Sequence, residues 1–226
     1  MLANLPLYIT IVFILTTLLT LWFLWKASFY KIVVIVVGIS WLAIQGILAY
    51  AGFYLNNLST PPAIALSILP PLVLIIFILA AKKTKRFIRR LDLKTLHLLH
   101  IVRIPVELCL YWLSLHKAVP ELMTFEGHNL DIITGITVPL IYLTCFKGRA
   151  IRSVNVLFAW NILGLVMLGN AVANAILSMP TRFQHLAHDQ PNIAVLYFPF
   201  IWLPAFIVMV VLFSHLVTIK RLMSTK

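Results

Sequence analysis

The sequence has few charged residues and very few acidic ones. Only 11% of its 226 residues are charged, and it has six aspartates and glutamates against eighteen lysines and arginines. Hydrophobic residues make up 62% of the chain and the mean hydropathy is +1.02, which lies outside the range of soluble globular domains. The shortage of charge therefore excludes a soluble protein and predicts an integral membrane protein.

Other absences exclude particular function classes. The two cysteines, Cys109 and Cys145, fall at different predicted membrane depths, so no disulfide is expected between Cα atoms that must lie within about 7 Å. The last apolar run has no lysine for a retinal Schiff base, which excludes a rhodopsin-like pigment. The chain also lacks a G-x-S-x-G elbow, a glycine-rich phosphate loop and the histidine-rich boxes of di-iron membrane oxygenases.

Seven apolar runs are long enough to cross about 30 Å of hydrocarbon. They cover residues 5–25, 32–55, 62–81, 93–115, 130–146, 154–178 and 194–219. The sequence therefore predicts an all-α fold, a polytopic membrane protein in which residues 1–226 form a single transmembrane domain, a seven-transmembrane-helix bundle.

The cations fall mostly on one side of these runs. Short connections on that side hold Lys26, Lys31, Lys82, Lys83, Lys85, Arg86, Arg89, Arg90, Lys94, Lys147, Arg149, Arg152, Lys220, Arg221 and Lys226. The opposite side holds only Lys117 and Arg182. This asymmetry predicts the N-terminus outside, the C-terminus in the cytoplasm, and residence in the plasma (inner) membrane. It accounts for the net charge of +12 without a nucleic-acid partner.

The densest group of cations lies in the connection of residues 82–94. Its sequence, KKTKRFIRRLDLK, can rest on anionic lipid headgroups while Phe87 and Ile88 enter the interface. We therefore expect anionic lipid headgroups, besides the bilayer itself, as partners of this loop.

The fourth run carries four polar side chains on one helix face. At about 100° per residue, His97, His100, Arg103 and Glu107 share an arc. Eleven aliphatic residues favour insertion by roughly 3 to 7 kcal/mol, and a central arginine and glutamate together oppose it by about the same amount. We therefore predict that this helix is interior to the bundle.

The leading functional hypothesis is a buried site on this helix. Arg103 and Glu107 are four residues apart and can pair, and Pro105 between them removes a backbone donor and opens the helix beside them. The site would bind a small molecule or an ion for transport or sensing. Its expected ligand-binding residues are Arg103, Glu107, His100, His97, Asn170, Asn174 and Gln45.

Two alternatives stay open at this point. The first is a membrane enzyme with zinc or haem, held either by His97, His100 and His215 or, as a zinc site in the outer loops, by His128, Asp131, His185 and His188. Glu107 or Glu126 would then act as acid or base, although no signature such as H-E-x-x-H is present. The second is a structural or accessory subunit in which the polar stripe only specifies helix pairing.

Overall fold

The computed structural model describes residues 5–56, 59–147 and 150–224. Two of the cations on which the predicted orientation rests, Arg149 and Lys226, lie outside these ranges. Within them the fold is all-helical, as predicted. The α-helices are α1 (Leu7–Ala27), α2 (Ile32–Tyr50), α3 (Ala65–Ala80), α4 (Lys85–Arg90), α5 (Leu93–Leu99), α6 (Arg103–Leu115), α7 (Asp131–Cys145), α8 (Val154–Leu177) and α9 (Val208–Met223). The two-residue strands Phe146–Lys147 and Ala150–Ile151 pair antiparallel between α7 and α8.

Five helical segments in the described part of the chain are long and apolar enough to cross a membrane. They are α1, α2, Leu93–Leu115, α8 and Leu203–Met223. A sixth is added if α3 and the following segment Lys82–Arg90, bent by 78° relative to it, count as one span. Helix α7 is apolar but has only 15 residues, about 22 Å at 1.5 Å per residue. The described helices thus indicate an integral membrane protein with five or six clear candidate spans.

The third predicted run bends at its end, not at its prolines. Pro70 and Pro71 lie inside α3 without ending it. The bend follows Ala80, where Ala81 is extended and Thr84 Oγ1 donates to the carbonyls of Ile78 (2.5 Å) and Ala81 (2.7 Å). This capping redirects the cation-rich α4 away from the axis of α3.

The last predicted run, 194–219, does not begin as a regular α-helix. A 3-10 turn covers Ala194–Leu196, irregular backbone follows, and a π-helical segment over Leu203–Ile207 leads into α9, which continues to Met223. The prolines explain the late start, because Pro199 and Pro204 cannot donate backbone hydrogen bonds and Pro204 lies inside the π-helical segment.

The polar helix lies in the interior, as predicted. In the most apolar stretch of Leu93–Leu115, half of the residues are buried, and in that of Leu203–Met223 two thirds are buried. In the other three candidate spans, only 28–33% of the corresponding residues are buried. Arg103 and Glu107 are each 2% exposed. Helix α1 packs against α5 and α6, and α9 packs against α8, α3 and α5. Cys109 and Cys145 are buried and free, as expected.

Candidate functional site

The polar helix is interrupted where its charges begin. A 3-10 turn, His100–Val102, separates α5 from α6 directly before Arg103. Pro105 lacks the N–H that would bond the carbonyl of Ile101, which lies in this turn. The chain departs from regular helix here as a tightened turn that aims His100 and Arg103 at α9 and α7, and not as the opening that the sequence predicts.

Arg103 pairs with another helix and not with Glu107. Its guanidinium Nη1 donates to Oδ1 of Asp131, in the first turn of α7, and both side chains are buried. The predicted Arg103–Glu107 ion pair does not form. The position of Asp131 in the first turn of α7 further stabilises its ionised carboxylate, because the N-terminus of a helix favours a negative charge.

Glu107 is held by an amide. Asn129 Nδ2 lies 2.8 and 2.9 Å from the two carboxylate oxygens and 3.0 Å from the carbonyl of Met123. Asn129 Oδ1 accepts the backbone N–H of Asp131 at 3.1 Å. One side chain therefore links the carboxylate of Glu107 to the backbone of Asp131, at the first N–H of α7.

His215 of α9 extends the cluster to α8. Its Nε2 lies 2.8 Å from Arg103 Nη2 and its Nδ1 2.8 Å from Asn161 Oδ1. A guanidinium only donates, so Nε2 accepts, the ring proton is on Nδ1, and His215 is neutral. The amide of Asn161 in turn donates to the Leu157 carbonyl at 2.7 Å, which fits this assignment.

Two further histidines, one in the 3-10 turn and one in α5, continue the cluster. The ring of His100 stacks on His215 with centroids 4.0 Å apart, and its Nε2 lies 3.1 Å from Ser214 Oγ. His97 Nε2 donates to the Val138 carbonyl at 3.0 Å. The Nδ1 atoms of both His97 and His100 are buried without a partner.

Trp160 of α8 lies beside all three imidazoles. Its ring centroid is 4.6 Å from that of His97, 5.3 Å from His100 and 5.7 Å from His215, and its Nε1 donates to Thr137 at 2.9 Å. Because the indole contacts all three rings, its fluorescence can report a change in their charge.

We name the buried set His97, His100, Arg103, Glu107, Asp131 and His215 the central cluster. Its members come from α5, α6, α7, α9 and the intervening 3-10 turn, and none is more than 6% exposed. Asn129, Asn161 and Ser214 complete its hydrogen bonds. Sequence reasoning missed Asn129 and Ser214 as contributors; the one available signal was Asn129 standing two residues before Asp131 at a helix start, where asparagine commonly caps.

Three predicted ligand-binding residues lie apart from the central cluster. Gln45 is buried on α2, where it accepts a hydrogen bond from Tyr54. Asn170 donates to the backbone carbonyl of His128 at 2.7 Å near the surface, and Asn174 Nδ2 is buried without a partner. Hydrogen bonds do not join these three side chains to the central cluster.

The metal-binding hypotheses gain no support. Among the residues that the structure describes, no three or more histidines, cysteines, aspartates or glutamates are placed to hold a metal ion. Of the proposed outer zinc ligands, His128, His185 and His188 are exposed, whereas Asp131 is buried against Arg103. Both ring nitrogens of His215 are engaged, which removes it as a ligand.

Two surface grooves are formed elsewhere. One, about 590 Å³, lies between the α1–α2 turn and α4; the other, about 280 Å³, lies between the start of α8 and the end of α9. Neither is lined by a residue of the central cluster, which is packed between its helices.

Comparison of the chain with protein-family models, with curated proteins and with solved structures finds no match.

Proposed function

We propose that the chain is a seven-span membrane protein whose central cluster binds a proton, as the ion of a transport or sensing function. The observation that carries this proposal is the charge of the cluster. One guanidinium, Arg103, lies among two carboxylates, Glu107 and Asp131, and His215 is neutral by its hydrogen bonds. With both carboxylates ionised, the cluster has a net charge of −1.

A buried unbalanced charge is expensive, at several kcal/mol even after relaxation. One bound proton neutralises the cluster, and three groups can accept it. Glu107 has no cation of its own, and the Nδ1 atoms of His97 and His100 are buried lone pairs without a donor. Ionisable side chains inside membranes most often serve ion pathways and proton relays, and histidine is suited to such exchange.

The groups that can accept the proton lie at different depths along the polar helix. From His97 to Glu107 the polar helix rises about 15 Å at 1.5 Å per residue, which is about half of the hydrocarbon thickness. His100 lies within this interval, beside His215 and Arg103. Neither a stacked ring nor a guanidinium passes a proton on, so transfer between His100 and Glu107 requires a water molecule between them. The tight packing favours a proton over a bulky ligand.

The test compares Glu107→Gln, which removes the titratable group and keeps the shape, with Glu126→Gln, an exposed carboxyl in the outer loop. Each protein is reconstituted in liposomes with a pH-sensitive dye inside, and a potassium gradient with valinomycin drives protons inward. We expect wild type and Glu126→Gln to acidify the lumen faster than empty liposomes, and Glu107→Gln to match the empty liposomes.

A sensing role would show itself without flux. In that case fluorescence of Trp160, isolated by subtraction of the Trp160→Phe spectrum, changes with pH in wild type and not in Glu107→Gln. Flux that persists in Glu107→Gln, or neither flux nor a pH-dependent fluorescence change in wild type, would overturn the proposal.

A structural role is the second candidate, since the central cluster is closely packed and largely satisfied by its own hydrogen bonds. Replacing a buried ion pair by apolar residues is often neutral or stabilising. If Arg103→Met with Asp131→Leu raised the melting temperature, and wild type showed neither proton flux nor a pH-dependent fluorescence change, the polar cluster would serve helix pairing alone.

A further inference from the structure

The larger of the two surface grooves is built from two separate segments. It is lined by Ser28, Phe29, Lys31, Arg86, Phe87, Arg90 and Leu91, and we name it the basic groove. One wall is the turn between α1 and α2, and the other is α4 with the residue after it. The backbone N–H of Asp92 donates to the carbonyl of Ala27 at 2.9 Å, which ties the two walls together.

Within the described part of the chain, the cations of the basic groove form no ion pair. Arg86 and Arg90 are four residues apart, so they share one face of α4, and Lys31 faces them from the other wall. No acidic side chain lines the groove, and within the described ranges no ion pair involves Arg86, Arg90 or Lys31. The nearest carboxylate in sequence, that of Asp92, instead caps α5 through Thr95.

The groove also has an apolar component in the right place for a lipid. Phe29 is 64% exposed, and Phe87 is half-buried beside the arginines. The 78° bend after α3 lays α4 across the direction of that helix. If α3 crosses the bilayer, α4 therefore lies at the interface, where headgroups and the first acyl carbons meet.

We propose that the basic groove binds the phosphate headgroup of one anionic phospholipid. Arg86 and Arg90 donate to the phosphate oxygens, in the forked geometry for which arginine is preferred over lysine, and Lys31 closes the site from the opposite wall. Phe29 and Phe87 lie against the upper part of the acyl chains. Of the cations in the loop 82–94, only Arg86 and Arg90 then contact the headgroup, together with Lys31 from outside the loop.

The test is native mass spectrometry of detergent-solubilised protein titrated with dioleoylphosphatidylglycerol. The variant Arg86→Gln/Arg90→Gln is compared with Lys85→Gln/Arg89→Gln, which removes two charges at the same spacing from the same helix but outside the groove lining. Loss of diffuse attraction weakens binding by about fivefold per cation at most, and both variants share it. We expect the groove variant to bind at least tenfold more weakly than its matched control.

A second pair of variants tests the opposite wall of the groove, and it provides the same comparison if the double variant does not fold. Lys31→Gln should weaken binding, whereas Lys26→Gln, whose ammonium lies over the Trp22 ring 4.7 Å from its centroid, should not. Equal losses of lipid affinity in either matched pair, or equal affinity for dioleoylphosphatidylcholine, would mean that the groove attracts lipid only through diffuse surface charge. Displacement of the lipid by millimolar glycerol 3-phosphate would overturn the lipid as occupant in favour of a soluble phosphate compound.

Discussion

Arg103 is the residue on which the buried contacts converge. It forms an ion pair with Asp131 and donates to His215, so three helices meet at one guanidinium. Its Nε is buried without a partner. These two contacts therefore offset most of the desolvation free energy of the guanidinium. Removal of the guanidinium would leave a carboxylate buried with no cation.

Replacement of Arg103 by alanine should therefore strongly destabilise the protein. We expect a loss of about 3 to 5 kcal/mol, the usual effect of removing one partner of a buried pair. The measurement is thermal unfolding in detergent, with Arg89→Ala as the control, since Arg89 is exposed on α4 and surface changes stay within about 0.5 kcal/mol. Equal melting temperatures for the two variants would contradict the assigned role.

The burial of this residue could be predicted from the sequence, but its partner could not. A helix face is defined by residues three and four apart, so Glu107 was the partner that local spacing suggested. Asp131 is 28 positions away, and the sequence placed it among solvated outer-loop metal ligands. Only the packing of α7 against α6 brings it to the guanidinium.

At the scale of elements, the contact of α8 with α9 fixes the position of His215. Gly164 of α8 faces this imidazole so closely that a β-carbon there would lie 2.5 Å from Cε1 and 2.7 Å from Nε2. A side chain at this position would have to displace a ring that is held at both nitrogens by Arg103 and Asn161. The glycine therefore makes room for the histidine between two packed helices.

Gly164→Ala should accordingly destabilise the protein by about 1 to 3 kcal/mol, the range for overpacking a filled core. Gly169→Ala is the matched control, because it lies in the same helix with nothing within 4 Å of the added carbon and alanine favours helix over glycine by up to about 1 kcal/mol. Thermal unfolding measures both variants. We also expect Trp160 emission to shift only in Gly164→Ala; an unchanged melting temperature for that variant would show that the ring can move aside.

In the sequence, Gly164, Ala171, Ala175 and Ser178 fall on one side of this run, which predicts a close-packing face but not what packs against it. Small residues at regular spacing permit close approach of another helix. Whether the approaching group is a backbone or an imidazole depends on the rotation and height of α9, which no local pattern encodes.

At the scale of the whole molecule, the membrane topology depends on α7. The cation asymmetry favours seven crossings, yet α7 is shorter than the hydrocarbon core is thick. The two connections that flank α7 differ in charge. The connection from α6 to α7 contains Lys117, whereas the short hairpin between α7 and α8 contains Lys147 and Arg152. If α7 crosses, these two flanks lie on opposite sides of the membrane.

Reporter fusions test this crossing directly. Alkaline phosphatase joined after Lys117 should be active and after Arg152 inactive, and green fluorescent protein at the same two positions should give the reverse result in a bacterial host. A C-terminal fluorescent fusion should fluoresce, as the proposed cytoplasmic C-terminus requires. Equal phosphatase activity at Lys117 and Arg152 would mean that α7 does not cross, and the count would fall below seven.

The sequence by itself determined that this is a helical membrane protein with an interior polar helix. Hydropathy and charge are sums over local windows, and the transfer free energy that they describe acts on each segment before any helix meets another. The tertiary structure alone decided which groups neutralise Arg103 and Glu107, and which cations line the basic groove. Those contacts join residues far apart in sequence, and the register between packed helices that creates them is set by the fit of the whole bundle.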